Sequence, residues 1–325
     1  MMKKCEEGAA LLTVLLLVAV MSVLAVGVLD DIRFGLRRAA NVEMAGQAEW
    51  YALGAEILAR ERIANLTRAG AQGSAARDWN GRPMTFPIDE GAITARISDA
   101  SLCFNLNSVV QGAPEQWSRR DIGLSQFTVL LQQLGVPFSQ APAFAEALAD
   151  WIDSDGARNT MGAEDDSYAN GPLPYRTSGA LLSEVSELRA IRGFTPEIYA
   201  RIRPYICALP VADLSPINLN LLSTDKAVLL AMLMDGRLET EAARRVIAAR
   251  PATGWTSVDA FWSDSALQEQ LPPNPVLAQV ALETRFFALE ALVNYAGSEV
   301  LLTSLFERSA RGPIRLAARR WGGEE

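Results

Sequence analysis

Histidine is absent from this 325-residue chain. That removes Ser-His-Asp and Cys-His catalysis, His-ligated zinc and haem, and imidazole pH switching. Lysine occurs only at Lys3, Lys4 and Lys226, which leaves Schiff-base and P-loop lysine chemistry almost without candidates. Cysteine is confined to Cys5, Cys103 and Cys207, too few and too scattered for a zinc cage or a disulfide scaffold. Positive charge is short as well: 30 Lys and Arg face 38 Asp and Glu, for a net charge of −8. A protein built to coat nucleic acid needs the opposite balance, because Lys and Arg displace its counterions. Apolar residues are plentiful, at 50% against 21% charged, so a packed core is expected and wholesale disorder is excluded. The length suits one large domain or two ordinary ones.

Residues 9–29, AALLTVLLLVAVMSVLAVGVL, carry no charge. As a helix they span roughly 30 Å, the thickness of a bilayer's hydrocarbon core. A secretory signal peptide would show a shorter apolar stretch, then a small-x-small cleavage site and a turn. Here the run passes without proline into Asp30-Asp31-Ile32-Arg33. Helical spacing continues through Ile32, Leu36, Tyr51, Ala55 and Leu58 to about Leu66. One helix is expected, lipid-soluble in its first half and amphipathic in its second. Charge does not settle its orientation, since Lys3 and Lys4 face Arg33, Arg37 and Arg38 across the span.

Beyond a small-residue loop at 69–74, Asn80-Gly81 signals a hairpin between 77–79 and 84–86. Asp89-Glu90-Gly91 signals a turn, and residues 92–99 alternate as a strand. From about 112 to 280 the pattern is helical, with candidates at 124–134, 142–152, 181–190, 196–207, 223–234, 239–249 and 257–269. A β-like tail follows at 286–295, 300–307 and 314–321. The expected class is α+β, a long N-terminal helix packed on an antiparallel sheet with a large all-α insertion.

A short charged leader, then Gly8, then an apolar helix with no intervening turn resembles a class III prepilin signal. The resemblance implies cleavage between Gly8 and Ala9 by prepilin peptidase. Pilin-like subunits normally carry Glu at the fifth mature position, where this chain has Thr13. In lipid that carboxylate neutralises the amino terminus of a neighbouring subunit. A subunit without it fits the end of a filament.

Further motifs resemble the K-type minor pseudopilins of the type II secretion system, the general secretion pathway protein K family. They are Ile97-Ser98-Asp99 with Phe104-Asn105-Leu106-Asn107, Asp150-Trp151-Ile152-Asp153-Ser154-Asp155, and Gly162-Ala163-Glu164-Asp165-Asp166-Ser167-Tyr168. Ser186-Glu187-Leu188-Arg189 with Gly193, Pro204-Tyr205-Ile206 with Leu209-Pro210, and Ile217-Asn218-Leu219-Asn220 complete the series. The resemblance covers nearly the whole chain and implies a pseudopilin fold. Its expected parts are a leader at 1–8, a transmembrane half-helix at 9–29, a pseudopilin core at 30–110, a helical insertion at 111–280 and returning strands at 281–325. It also implies a non-enzymatic subunit anchored in the inner membrane with its C-terminal domain in the periplasm. The implied partners are the I- and J-type minor pseudopilins and the major pseudopilin, in a pseudopilus that supports export of folded proteins.

The densest chemistry lies in 153–170: Asp153, Asp155, Asn159, Glu164, Asp165, Asp166 and Asn170, opposed only by Arg158. Calcium takes six to eight oxygens from such groups, and without a cation the charges repel. Asp153, Asp155 and Glu164 fall at the first, third and twelfth positions of an EF-hand. Ala157 and Arg158 occupy its fifth and sixth, where a ligand and Gly are required, so an EF-hand is rejected. The resemblance implies calcium in this region. Glu164, Asp165 and Asp166 are the favoured ligands, with Asp153, Asp155 and Asn170 next. Carboxylate pairs occur in any acidic chain, so catalysis is not inferred from them.

Residues 188–202 also look like a helix-hairpin-helix, the basis of an alternative reading as a membrane-anchored DNA-binding module. The turn has one glycine, Gly193, where phosphate-binding hairpins use two, so helix packing is preferred and no nucleic acid is expected. Cys103 and Cys207 would both meet an oxidising compartment after export and could pair. Two buried free thiols are the preferred reading, and Cys5 leaves with the leader.

Overall fold

The computed structural model describes residues 3–68, 78–169, 174–263, 267, 274–309 and 312–323. Helix α1 runs unbroken from Lys3 to Arg68, a rod of about 100 Å. The apolar first half is covered by no other part of the chain among the described residues and is long and apolar enough to cross a membrane. The second half docks on a sheet through Ala48, Ala52, Ala55, Ala59 and Ile63, which recur every three or four residues and are buried. Of the series read from the sequence, Ala55 lies on this face and Tyr51 packs against it, whereas Ile32, Leu36 and Leu58 are exposed. Alanines let the helix backbone approach the sheet closely, so the small residues mark the contact and the large ones point away.

Among the described residues the chain forms eleven strands, and five make the main sheet. They are β1 (Pro83–Ile88), β2 (Gly91–Asp99), β9 (Phe286–Tyr295), β10 (Ser298–Arg308) and β11 (Ile314–Trp321), antiparallel in the order β1-β2-β9-β10-β11. Alternate residues Ile93, Ala95 and Ile97 of β2 and Phe287, Leu289, Ala291 and Val293 of β9 face α1 and form one core. Each large side chain so buried contributes about 1.5–3 kcal/mol. Asn80-Gly81 does not close the expected hairpin. Asn80 Oδ1 accepts from Asp99 N at 2.8 Å and Gly81 N donates to Ile97 O at 2.8 Å, pinning the chain beside β2. The β1–β2 turn lies instead at Asp89-Glu90, with Glu90 at φ 61°.

One charge sits inside the helix–sheet interface. Glu56 is buried, and accepts Arg319 Nε and Nη2 at 2.8 and 2.7 Å and Ser304 Oγ at 2.8 Å. Burial pushes its carboxyl up, but the Arg319 and Ser304 hydrogen bonds and the charges of Arg319 and Arg60 outweigh that and hold it below the usual range.

Residues 100–285 leave the sheet after β2 and return at β9. They hold α2 (Asp121–Gln133), α3 (Ala141–Ile152), α4 (Asp165–Tyr168), α5 (Pro196–Ile202), α6 (Ala227–Leu233), α7 (Thr240–Ala248) and α8 (Val258–Trp262). Expected helix 181–190 is a 3-10 segment at Val185–Ala190, and expected helix 196–207 ends its α-helical part at Ile202. Proline at position 204 explains the second stop, since it restricts the residue before it and offers no N–H.

Short strands stitch the helices together. β3 (Phe104–Asn105) pairs with β6 (Ile206–Cys207), β4 (Val110–Ala113) with β5 (Gln116–Arg119), and β7 (Ile217–Asn218) with β8 (Val280–Ala281). Phe104, Leu106, Phe127, Leu130, Leu148, Ile152, Leu188 and Leu230 centre a second core. Leu102, Leu106 and Val110 belong to this core, although the sequence reading places them with the first module. The main sheet stops at Asp99, and Ala100 N closes its edge on Phe286 O at 2.9 Å.

The expectation of two free thiols is corrected: Cys103 and Cys207 form a disulfide. Parallel pairing of Asn105 with Cys207 and of Phe104 with Ile206 sets the two cysteine Cα atoms 5.8 Å apart, within the range a disulfide bridges.

Candidate metal centre

Asp153 closes α3, its N–H bonded to Ala149 O at 2.8 Å. The next residue ties the loop to β5: Ser154 N donates to Trp117 O at 3.0 Å, and Ser154 Oγ accepts from Trp117 N at 2.9 Å. Asp155 Oδ1 accepts from Ala157 N at 2.8 Å, which turns the chain away. The loop then returns, and Glu164 occupies the residue before α4 in extended conformation.

Asp153, Asp155 and Glu164 thereby converge: one carboxylate oxygen from each lies within 4.8 Å of the others. Oxygens 2.3–2.6 Å from a common calcium stand at most about 5 Å apart, so this spacing fits one ion. Asp153 and Glu164 are 5% and 6% exposed, yet among the described residues Asp153 Oδ1 and Glu164 Oε1 have no hydrogen-bond partner. A buried oxygen left so costs about 1–3 kcal/mol, more when charged. Burial, then Asp155, Asp150 and Glu164, push the Asp153 carboxyl up to about 7. Burial and Asp150 raise Glu164 as well. A divalent cation would reverse these effects by supplying the missing partner and cancelling the repulsion.

Asp165 and Asp166 line the same open cleft but are engaged elsewhere. Asp165 Oδ1 accepts Thr177 N and Thr177 Oγ1, both at 2.9 Å, and these bonds hold its pKa below the usual range. Asp166 faces Arg158 at 3.6 Å. Asn170 lies outside the described residues. The favoured run Glu164-Asp165-Asp166 therefore contributes Glu164 to the convergent trio, and Asp153 and Asp155 supply the rest.

At the other end of the chain, Thr13 Oγ1 donates to Ala10 O at 2.8 Å within α1. Its hydroxyl is satisfied inside its own helix. Gly8 and Ala9 lie in that helix near its start.

The asparagines of the sequence motifs serve the fold. Asn105 Nδ2 donates to Val211 O at 2.8 Å, and its Oδ1 accepts from Leu209 N at 3.0 Å. Asn107 bonds Leu182 on both sides, donating to its O at 2.9 Å and accepting from its N at 2.8 Å. Asn220 does the same with Trp255, at 3.1 and 2.8 Å. At Gly193, φ 99°, an added Cβ would meet the Phe144 ring at 2.4 Å. That glycine permits close packing.

Models of a family described as "Type II secretion system (T2SS), protein K" match residues 102–211 and 217–282. The chain is 34% identical to the type II secretion system protein K of Pectobacterium carotovorum subsp. carotovorum, over 99% of this chain and 98% of the relative. The chain belongs to the type II secretion system protein K family. The protein K of Klebsiella pneumoniae is 38% identical over 81% of each chain, and that of Pseudomonas aeruginosa 32% over 99% of this chain and 94% of its own. Among solved structures, the GspK-GspI-GspJ complex from the type 2 secretion system of enterotoxigenic Escherichia coli holds a chain of the same fold. The TM-score is 0.75 at 27% identity, over 88% of this chain and 99% of that one. Protein K is a component of a secretion machine and not an enzyme, as the motif resemblance implies.

Sequence reasoning missed the groups that hold the trio in place: Asp150, Thr177, and Arg119, whose Nη1 donates to Asn159 Oδ1 at 2.9 Å. Asp150 stands in a quoted motif, but its chemical type gave no sign that its carboxylate takes the Asn159 backbone and side chain.

Proposed function

We propose that this chain is a minor pseudopilin at the tip of the type II secretion pseudopilus. It assembles there with the I- and J-type minor pseudopilins, above the major pseudopilin, and supports export of folded proteins across the outer membrane. The observation that carries this reading is the state of α1. Trp50 and Ile57 are 71% and 65% exposed, beyond the membrane-spanning half and roughly opposite the face on the sheet, and Val42, 66% exposed, lies to one side of it. Such an apolar stripe fits a neighbouring helix. Similarity to GspK, solved with GspI and GspJ, supports these partners.

Residues 9–29 anchor the chain in the inner membrane, with the C-terminal domain in the periplasm. The Cys103–Cys207 disulfide supports that side, since such bonds persist in oxidising compartments. Prepilin peptidase cuts between Gly8 and Ala9. Thr13 is uncharged and its hydroxyl hydrogen is bonded within its own helix, so it offers no carboxylate to the amino terminus of a further subunit, which supports a terminal place in the filament. Calcium is held by Asp153, Asp155 and Glu164. When bound it supplies positive charge that fixes the two limbs of the loop. Asp165 and Asp166 complete the acidic rim.

The test is the intact mass of the full-length chain from membranes with and without prepilin peptidase. Loss of residues 1–8 only with the peptidase, and co-purification of the cut chain with I- and J-type subunits, are expected. An uncut chain in both membranes would overturn the assignment, as would a Gly8→Leu variant that is processed normally.

A further inference from the structure

Asp150 sits on α3 one turn before Asp153 and is 1% exposed, yet its oxygens are not part of the convergent trio. They are occupied from the loop side. Asn159 N approaches Oδ1 and Oδ2 at 3.3 and 3.2 Å, and Asn159 Nδ2 also donates to Oδ1. The N–H of Ala163 donates to the same carboxylate. A Cβ on Gly162 would lie 1.9 Å from Asp150 Oδ2, so no side chain fits at that position. Glu146, one turn earlier on α3, takes Met161 N at 2.6 Å.

We propose that Asp150 is the positioning residue of the metal loop. It draws residues 159–163 down onto α3 and so delivers Glu164 opposite Asp153 and Asp155. The inference rests on the calcium reading above. Its physical basis is preorganisation: the trio comes from two chain segments, and an ion that had to order the intervening loop would lose affinity to that entropy. Groups that orient metal ligands typically change affinity by about ten- to a hundredfold when removed.

The experiment titrates calcium chloride into the full-length, metal-stripped chain in detergent micelles by calorimetry. Circular dichroism on each variant verifies the fold. Asn159→Ala and Gly162→Ala change no charge and touch no ligand, but disturb the Asp150 contacts. Each is expected to weaken calcium binding by about tenfold or more. Should Gly162→Ala fail to fold, Asn159→Ala and Asn159→Ser carry the measurement. Wild-type affinity in the Asn159 variants, with Asp150→Asn alone weakened, would give Asp150 a charge or ligand role and overturn the positioning assignment. A wild-type chain that binds no calcium would overturn the loop reading and this inference with it. The two failures are told apart by the wild-type titration.

Discussion

Arg319 on the last strand closes a two-pronged ion pair on Glu56 of α1, 263 positions earlier in the chain, at 2.8 and 2.7 Å. The pair joins helix to sheet where alanines bring them closest, and Ser304 takes a further bond to the same carboxylate. Arg319→Ala would leave Glu56 buried without its main partner. A loss of about 2–3 kcal/mol is expected, at the low end for a buried pair because Arg319 is 38% exposed. Arg96→Ala, which breaks an exposed pair with Glu290, should lose under about 1 kcal/mol. Urea unfolding of both variants in the same detergent checks the contrast. Equal losses would show that the buried pair holds nothing.

Calcium should stabilise the chain. An ion that binds only the folded state at a hundred times its dissociation constant adds about 2.7 kcal/mol. Chelator is therefore expected to lower the melting temperature of wild type and to leave an Asp153→Asn, Glu164→Gln double variant unmoved. Elemental analysis without calcium and an unchanged melt would remove the metal.

The metal-free loop sets a pH dependence whose sign follows from Asp153. Its carboxyl lies at about 7 in the fold, raised by burial and then by Asp155, Asp150 and Glu164. The unfolded value is about 3.9. The folded state thus holds a proton that the unfolded state has lost, and the protonated loop's stability falls as pH rises from about 4 to about 7. In chelator, the urea midpoint should drop between pH 5 and pH 7.5. Asp153→Asn should flatten much of that drop, and calcium should oppose it at the higher pH.

Cys103 and Cys207 are 104 positions apart. A bond closing a loop of that size restricts the unfolded chain by up to about 4.7 kcal/mol in the chain-entropy account. Reduction, or the Cys103→Ser, Cys207→Ser pair, should lower the melting temperature of the insertion strongly. A melt indifferent to reductant would mean that strain in the folded state cancels the gain.

Much of the fold was legible because its signals are local. Residues 286–295 are rich in large apolar residues, set Phe287, Leu289 and Val293 at alternate positions, and form a strand over that span. Residues 9–29 need only their lack of charge. The docking face of α1 was legible only in part, at Tyr51 and Ala55, because alanine carries little hydrophobic weight and the larger Leu58 draws attention to another side. The disulfide was hidden for a different reason: it depends on a parallel pairing of β3 with β6, and no sequence period encodes a register across such a distance.

The metal trio was half legible. Consecutive carboxylates such as Glu164-Asp165-Asp166 suggest a shared ion, but a helix begins at Asp165 and successive side chains on it diverge by about 100°. Convergence came instead from the end of one helix and the approach to another. Asp153 and Asp155, the second-ranked candidates, join Glu164 in the convergent trio.

Finally, the two ends of the insertion meet. Asp99 and Phe287 are direct partners across β2 and β9, and Ala100 bonds to Phe286 just beyond them. To the sheet, residues 100–285 are merely a hairpin loop of unusual length. The entropy of closing a loop grows only as the logarithm of its size, about 0.6 kcal/mol per doubling. The closure entropy of the scaffold therefore depends little on the length of the insertion, which the sheet also touches through Arg320 and Glu184. A chain of this design can lengthen or shorten the insertion while the strand pairing of β2 with β9 stays as it is.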